Sequence, residues 1–326
     1  MCTAISYKAK DHYFGRNLDL EHSYYESVTI TPRNYQFAFR KEATMKVHYA
    51  IIGMAYVKDN YPLYYDATNE KGLSMAGLNF PGNAVYLSER EGMYNIAPFE
   101  IIPWVLGRCK TVADAKELLK RTNLIMLRYS KELPLTPLHF IVSDKESSIV
   151  IEPVKEGLRV LDNPVGVLTN NPPFAYQMYH LNNYMSLTKK EPVNTFAKTL
   201  PLEVYSRGMG GLGLPGDLSS ASRFVRATFV KENSLIHENE DGNVSQFFHI
   251  LGSVEQQKGC VQVGKEEYEY TIYSSCCNTE KGIYYYKTYG NSQISAVDMH
   301  LEDLEGDELV CYPLILQQQF CFQNNL

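Results

Sequence analysis

The chain opens Met1-Cys2-Thr3-Ala4-Ile5-Ser6-Tyr7-Lys8-Ala9-Lys10-Asp11-His12-Tyr13-Phe14-Gly15-Arg16-Asn17-Leu18-Asp19, and this stretch reads as a β-hairpin with a thiol at its free end. Alternating apolar residues over Thr3–Lys8 and His12–Asn17 mark two strands, and the polar run Lys8-Ala9-Lys10-Asp11 marks the turn. A symmetric hairpin on that turn pairs positions whose numbers sum to nineteen, which sets Cys2 opposite Asn17. Asp19 then shares the face of Cys2 and extends past it, where a carboxylate could hold an amino group. Arg16 takes the opposite parity, so it reaches the thiol only through a bulge or strong twist, for which Gly15 leaves room.

Cys2 becomes decisive if Met1 is removed, which a small second residue permits. One residue then carries a thiol and a free α-amine, a nucleophile with its own base. Such groups ordinarily titrate at about 8.5 and about 7.7 to 8.0, so near neutrality both are mostly protonated. A guanidinium beside the sulfur favours the thiolate, and desolvation or a nearby positive charge frees the amine to accept a proton. The bland alternative is a small buried hydrophobe in an edge strand.

Working outward, 326 residues with 44% apolar and 21% charged side chains are ordinary for a globular protein with a large core. A net charge of −6 leaves no basic stripe for nucleic acid. No apolar run reaches membrane-spanning length, and the first residues contain no secretory apolar stretch, so a cytoplasmic location is expected. Seven cysteines, with no Cys-x-x-Cys pair, suit reduced thiols, and no two of the eight histidines stand at ligand spacing on one element. Neither metal nor cofactor is expected. The glycine run at 208–213 lacks the Gly-Lys-Ser/Thr ending of a phosphate loop and reads as a flexible loop. Tyrosine is abundant, at 25 residues, which suits strands and amphipathic pockets.

Further strands are expected at Ser27–Thr31, His48–Val57 and Leu73–Asn79, then helices at Pro98–Leu106 and Thr111–Arg121, the latter capped by Thr111 with Asp114. A hairpin joins Leu138–Ser143 to Ser148–Glu152. Helical periodicity returns at Phe174–Ser186, Ser222–Ser234 (capped by Ser220 or Ser222) and Val244–Leu251, before a tyrosine-rich hairpin of Tyr268–Ser274 and Gly282–Tyr289. This order predicts an α+β fold, helices outside two stacked sheets, and nothing marks a linker, so residues 1–326 are expected to form a single domain.

With these stretches assembled, the chain resembles the choloylglycine hydrolase family, the bile salt hydrolases and penicillin V acylases. The resemblance rests on Met1-Cys2-Thr3, Phe14-Gly15-Arg16-Asn17-Leu18-Asp19, Asn69-Glu70-Lys71-Gly72-Leu73, Ala76-Gly77-Leu78-Asn79-Phe80-Pro81, Leu168-Thr169-Asn170-Asn171-Pro172, Gly213-Leu214-Pro215-Gly216-Asp217 and Ser222-Arg223-Phe224. It implies an N-terminal-nucleophile hydrolase fold, a four-layer αββα sandwich of two mainly antiparallel sheets, assembled as a homotetramer. It also implies Cys2 as nucleophile, Arg16 beside the sulfur, Asp19 orienting the amine, Asn79 and Asn170 around the scissile carbonyl, and Arg223 as a supporting charge. Without the resemblance, Asn79 and Asn170 read as turn residues, and Arg223 with Arg226 as one solvated helix face.

Asn79 stands where the acylases typically carry tyrosine, so the resemblance leans to conjugated bile acids as substrate. Leu18, Tyr65, Tyr129 and Leu133 are the implied lining of an apolar pocket for the steroid. Phe140 replaces a tryptophan common among relatives, a departure expected to touch packing alone. The competing readings are penicillin V acylase or other amidase activity, and a steroid-binding protein without catalysis.

Overall fold

The computed structural model describes residues 1–325. Alternation along the strands builds two antiparallel sheets. The first runs Val167–Leu168, Cys2–Lys8, His12–Leu20, Glu267–Asn278, Ile283–Thr288, Asn291–Asp298, with Val261–Gly264 also paired to Glu267–Asn278. The second runs Gly157–Asp162, Ser148–Val154, Leu138–Ser143, Ser74–Asn79, Tyr61–Asn69, Ile51–Lys58, Ser27–Thr31, Val310–Pro313. Strands Cys2–Lys8 and His12–Leu20 face Ser74–Asn79 and Tyr61–Asn69 across the space between the sheets.

The period of two separates the cores. Ile141 and Val150 join the cluster that includes Ala4, Phe14 and Phe224, while their neighbours Val142 and Ile151 join Trp104, Val105 and Leu106. The second sheet is therefore buried on both faces. Helices Ser220–Asn233 and Glu240–Gly252 pack on the first sheet and Ile101–Leu106 on the second. The layers are helix, sheet, sheet, helix, and the α+β expectation stands.

Most elements fall within a few residues of expectation. Ile101–Leu106 is buried at every position, and Thr111 caps Val112–Leu119 in a reciprocal capping box with Asp114. Two corrections concern helix ends: Ser219, rather than Ser220 or Ser222, caps the helix that carries Arg223, and Phe174–His180 gives way to a 3-10 turn at Leu181–Tyr184. Strand Tyr61–Asn69 was not anticipated. It returns from Ile51–Lys58 through Asp59 and Asn60, both at positive φ (51° and 56°), the two-residue turn that matches strand twist.

The hairpin register differs from expectation by one residue. Lys8 pairs with His12 and Cys2 with Leu18, so partners sum to twenty. The loop is the three-residue Ala9-Lys10-Asp11, closed by Ala9 N–H donating to the Asp11 carbonyl at 3.0 Å. One residue of slip exchanges the faces. Arg16 and Leu18 now share the face of Cys2, and Asp19 leaves it. Gly15 forms no bulge: a Cβ there would sit 2.0 Å from the Ser275 carbonyl oxygen, so glycine admits the neighbouring strand. Bulges do lie nearby, at Ile272 (between the Thr271–Asp19 and Tyr273–Leu18 pairs) and at Tyr65 (between Tyr64–Ala55 and Asp66–Met54).

At the closed end of the hairpin, His12 is buried between Ser6 (2.9 Å) and Thr279 (2.9 Å), and burial lowers its titration to about 4. The folded value lies below the usual ~6.5, so the unfolded chain binds the extra proton. His12 therefore supports the fold fully above ~6.5, and this support is lost as pH falls toward 4. Asp19 and Asp66, raised mainly by burial, act oppositely on the same measurement. Hence the comparison must be with His12→Gln. Between pH 7.5 and 5.5 urea unfolding should show wild type losing about 1.4 kcal/mol more than the variant; an equal loss in both would mean that His12 is not held neutral.

Candidate active site

Cys2 is buried at 3% exposure, and its strand ends beside the turn Leu168–Pro172 and the helix that begins at Ser220. The Cys2 main-chain N–H donates to Asn170 Oδ1 at 2.8 Å. Arg223, also buried, donates from Nη2 to the same oxygen at 2.8 Å. Its Nη1 donates to the Cys2 carbonyl (2.5 Å) and the Thr3 hydroxyl (2.6 Å), and its Nε to the Leu218 carbonyl (3.0 Å). A single planar fork thus ties residues 2 and 3 to the 170 turn. Arg226 turns away to the carbonyls of Pro215 and Ser253, so the two arginines do not act as one face.

Asn170 is itself held tightly. Its N–H donates to Ser220 Oγ (2.8 Å), and Gln177 Nε2 donates to its carbonyl (2.7 Å) and that of Pro172 (2.9 Å). Its Nδ2 donates to the Asn79 carbonyl at 2.7 Å. Asn170 is therefore as much an anchor for the Cys2 nitrogen as a donor to a carbonyl. Asn79 ends strand Ser74–Asn79 and keeps a buried Oδ1 with no partner among the described residues. Gln177 escaped sequence reading because a glutamine in a helix carries no signal of burial.

Asp19 lies opposite Met1, exchanging both main-chain hydrogen bonds with it (2.9 and 3.1 Å). Its Oδ1 accepts from Thr271 at 2.6 Å, and its Oδ2 lies 4.0 Å from Arg223 with no hydrogen-bond partner among the described residues. Burial raises the Asp19 carboxyl above its ordinary range, opposed first by Arg223 and then by the terminal ammonium. The Met1 amine also pairs with Glu269, and burial lowers its titration against the pull of Cys2 and Asp19. Asp19 thus sits opposite Met1 and faces Arg223, on the other side of the strand from the one the hairpin parity implied.

Arg16 crosses between the sheets. Its Nη1 donates to the carbonyls of Tyr65 (3.0 Å) and Gly77 (2.5 Å), and its buried Nη2 has no partner among the described residues. Burial works against its charge, yet Cys2, Tyr273, Asp66 and Asp19 together hold it above its ordinary range. Cys2, Arg16 and Asn79 share a cavity of about 230 Å³ with Leu18, Tyr65, Tyr129 and Leu133, the four residues implied for substrate. Tyr24, Tyr56, Phe99 and Tyr64 add to the aromatic wall and were missed, since they come from separate strands and loops and share no common period. Phe140 also lines it, so this position belongs both to the cavity wall and to the core.

Neither His12 nor His139 serves Cys2. His12 is at the far end of the strand, and His139 bonds the Thr169 carbonyl at 2.8 Å, with burial lowering it to about 3. The assembled groups are a thiol at an apolar cavity, two buried guanidinium ions, a buried carboxyl and two amides around one main-chain nitrogen. Such a set can stabilise an anionic sulfur and hold an amine for proton transfer.

Residues 2–312 match the family described as linear amide C–N hydrolases, choloylglycine hydrolase family. A bile salt hydrolase/transferase from Lactiplantibacillus plantarum is 58% identical over 320 residues, covering 98% of this chain and 99% of that one. Another from Clostridium perfringens is 40% identical over 319 residues, 96% of each. Among solved structures, a mutant conjugated bile acid hydrolase from Clostridium perfringens superposes with a TM-score of 0.92 at 38% identity, covering 99% of this chain and all of that one. The penicillin V acylase from Agrobacterium tumefaciens superposes at 0.75 with 18% identity, over 94% of this chain and 90% of that one, a likeness of fold.

Proposed function

Because the chain belongs to the choloylglycine hydrolase family of linear amide C–N hydrolases and has its N-terminal-nucleophile fold, we propose that it is a bile salt hydrolase, cleaving the amide that joins a cholane carboxylate to glycine or taurine. In this reading residues 1–326 act as one domain in the cytoplasm, with Met1 removed. Cys2 Sγ attacks the amide carbonyl while its α-amine takes the thiol proton. Asn79 and the second hydrogen of Asn170 Nδ2 stabilise the oxyanion, and the amine passes the proton to the leaving nitrogen. Water then attacks the thioester, returns a proton to sulfur and releases the bile acid.

The observation that carries this reading is the environment of the Cys2 nitrogen. It lies on Asn170 Oδ1, which also accepts from Arg223, and Asp19, paired with the preceding residue, turns a carboxylate oxygen without a hydrogen-bond partner among the described residues toward Arg223. A carboxylate and an amide oxygen favour an ammonium there, and the two arginines favour its deprotonation, so the amine is poised to cycle. Arg16 brings to the thiol's cavity an Nη2 that has no partner among the described residues. Homotetramer formation fits the apolar side chains left exposed between 185 and 212, including Met185 (79%), Val193 (82%) and Phe196 (85%).

Intact mass, solution mass and release of glycine or taurine from conjugated bile salts test the whole reading. A chain short of Met1, a particle of four chains and amino-acid release are expected. A processed protein that releases nothing from bile salts, but cleaves penicillin V, would replace the substrate assignment. Retained Met1 with no release would end the catalytic reading.

A further inference from the structure

Asp66 is a buried carboxylate that the mechanism above leaves idle. It projects from strand Tyr61–Asn69 at 1% exposure, directly after the Tyr65 bulge. Three hydroxyls converge on it from the opposite sheet: Tyr273 (2.6 Å), Tyr284 (2.6 Å) and Ser275 (3.2 Å). Ser275 Oγ also accepts the main-chain N–H of Arg16 at 3.1 Å, so the serine's own proton points to the carboxylate. The neighbouring Tyr65 carbonyl accepts from Arg16 Nη1 at 3.0 Å. Asp66 thus touches both ends of Arg16, its main chain through Ser275 and its guanidinium through the adjoining peptide.

Three donors and a nearby cation favour the ionised form of a carboxylate and oppose the effect of burial. Burial raises Asp66, while Arg16 and then the hydroxyls of Tyr273, Tyr284 and Ser275 oppose it. The arrangement also answers a cost. Arg16 and Arg223 bring two buried guanidinium ions to one site, and among the described residues no carboxylate lies within ion-pair distance of Arg16. An isolated buried cation is strongly unfavourable unless a fixed counter-charge stands close by. Too much positive charge would also make a poor nucleophile, because thiolate reactivity falls as the thiolate is stabilised.

We propose that Asp66 is the fixed counter-charge behind Arg16, a positioning residue that tempers the pull of the guanidinium on the Cys2 sulfur. This rests on Cys2 and Arg16 acting as assigned above. The ionisable groups around Arg16 are Cys2, Tyr273, Asp66 and Asp19; those around Asp66 are Arg16, Tyr273, Tyr284 and Cys277, with Arg223 and the terminal amine facing Asp19. Besides the Cys2 sulfur itself, Asp66 and Asp19 are the carboxylates among these groups, and Asp19 already faces Arg223.

The test is the pH profile of Cys2 alkylation by iodoacetamide, read by peptide mass, in wild type and Asp66→Asn. Asparagine keeps the shape and removes the charge. The profile should move about half a unit toward lower pH, about threefold in the reactive fraction on its acid side. Tyr284→Phe, which keeps the carboxyl and removes one donor, should move it the same way by less, and serves if Asp66→Asn does not fold. A residue that merely braced Arg16 would move the profile upward when lost. An upward or absent shift in both variants overturns the proposal. Alkylation needs no turnover, so this result stands apart from the bile salt assay.

Discussion

Cys2→Ser is expected to lower kcat/KM for conjugated bile salts by about a thousandfold or more, with the fold intact. The site is built for sulfur. Cys2 is 3% exposed at an apolar cavity, and the positive charge around it comes from guanidinium groups fixed to backbone carbonyls. A thiol gives up its proton to a neighbouring amine far more readily than an alcohol does, and its sulfur is the better nucleophile. Serine retains the α-amine, the hydrogen bond from the residue 2 nitrogen to Asn170 and nearly the same volume. It also retains a small second residue, so Met1 removal should proceed alike in both proteins. Intact mass checks that point, urea unfolding checks the fold, and amino-acid release reads the chemistry. Equal turnover in the serine variant would remove Cys2 from the nucleophile's role.

The hairpin shows how far sequence carried the site and where it failed. Strand limits and the turn were legible, because period-two alternation and a polar run are local properties. The register was not. A three-residue and a four-residue loop differ in how backbone groups close, which Lys8-Ala9-Lys10-Asp11 does not reveal, and that one residue exchanged the faces of Arg16 and Asp19. The resemblance assigned Arg16 beside the thiol where parity from the guessed turn opposed it. Asn170 and Arg223 are similar cases. They stand 168 and 221 residues from Cys2, and no local pattern announces a hydrogen bond across such a gap. Asp66 lay wholly outside the reading, since its role comes from three hydroxyls on two strands of the other sheet.

Arg223→Gln is expected to cost both stability and turnover. Arg223 is 1% exposed and supplies four donor contacts, to Leu218, Cys2, Thr3 and Asn170, besides facing Asp19 at 4.0 Å. Removing one partner from a buried charged set typically costs about 3 to 5 kcal/mol, a large part of the ~5 to 15 kcal/mol that holds a domain folded. Protonation limits the loss. Asp19 is already raised by burial, with Arg223 the chief opposing influence, so without the arginine its carboxyl should rise further and keep its proton to higher pH. That relieves the orphaned charge but removes the anion that favours an ammonium at residue 2. Turnover should therefore fall more than stability requires, and raising the pH should recover part of it by restoring the carboxylate. Arg223→Lys makes the argument sharper. It restores the charge without the planar fork, so it should recover stability better than kcat, because Asn170 and the Cys2 carbonyl would no longer be held by one rigid group. Urea midpoints with steady-state kinetics across pH decide the matter. If Arg223→Gln loses less than about 1 kcal/mol and keeps full turnover, the fork is incidental, and the anchoring of Cys2 must come from Asn170 alone.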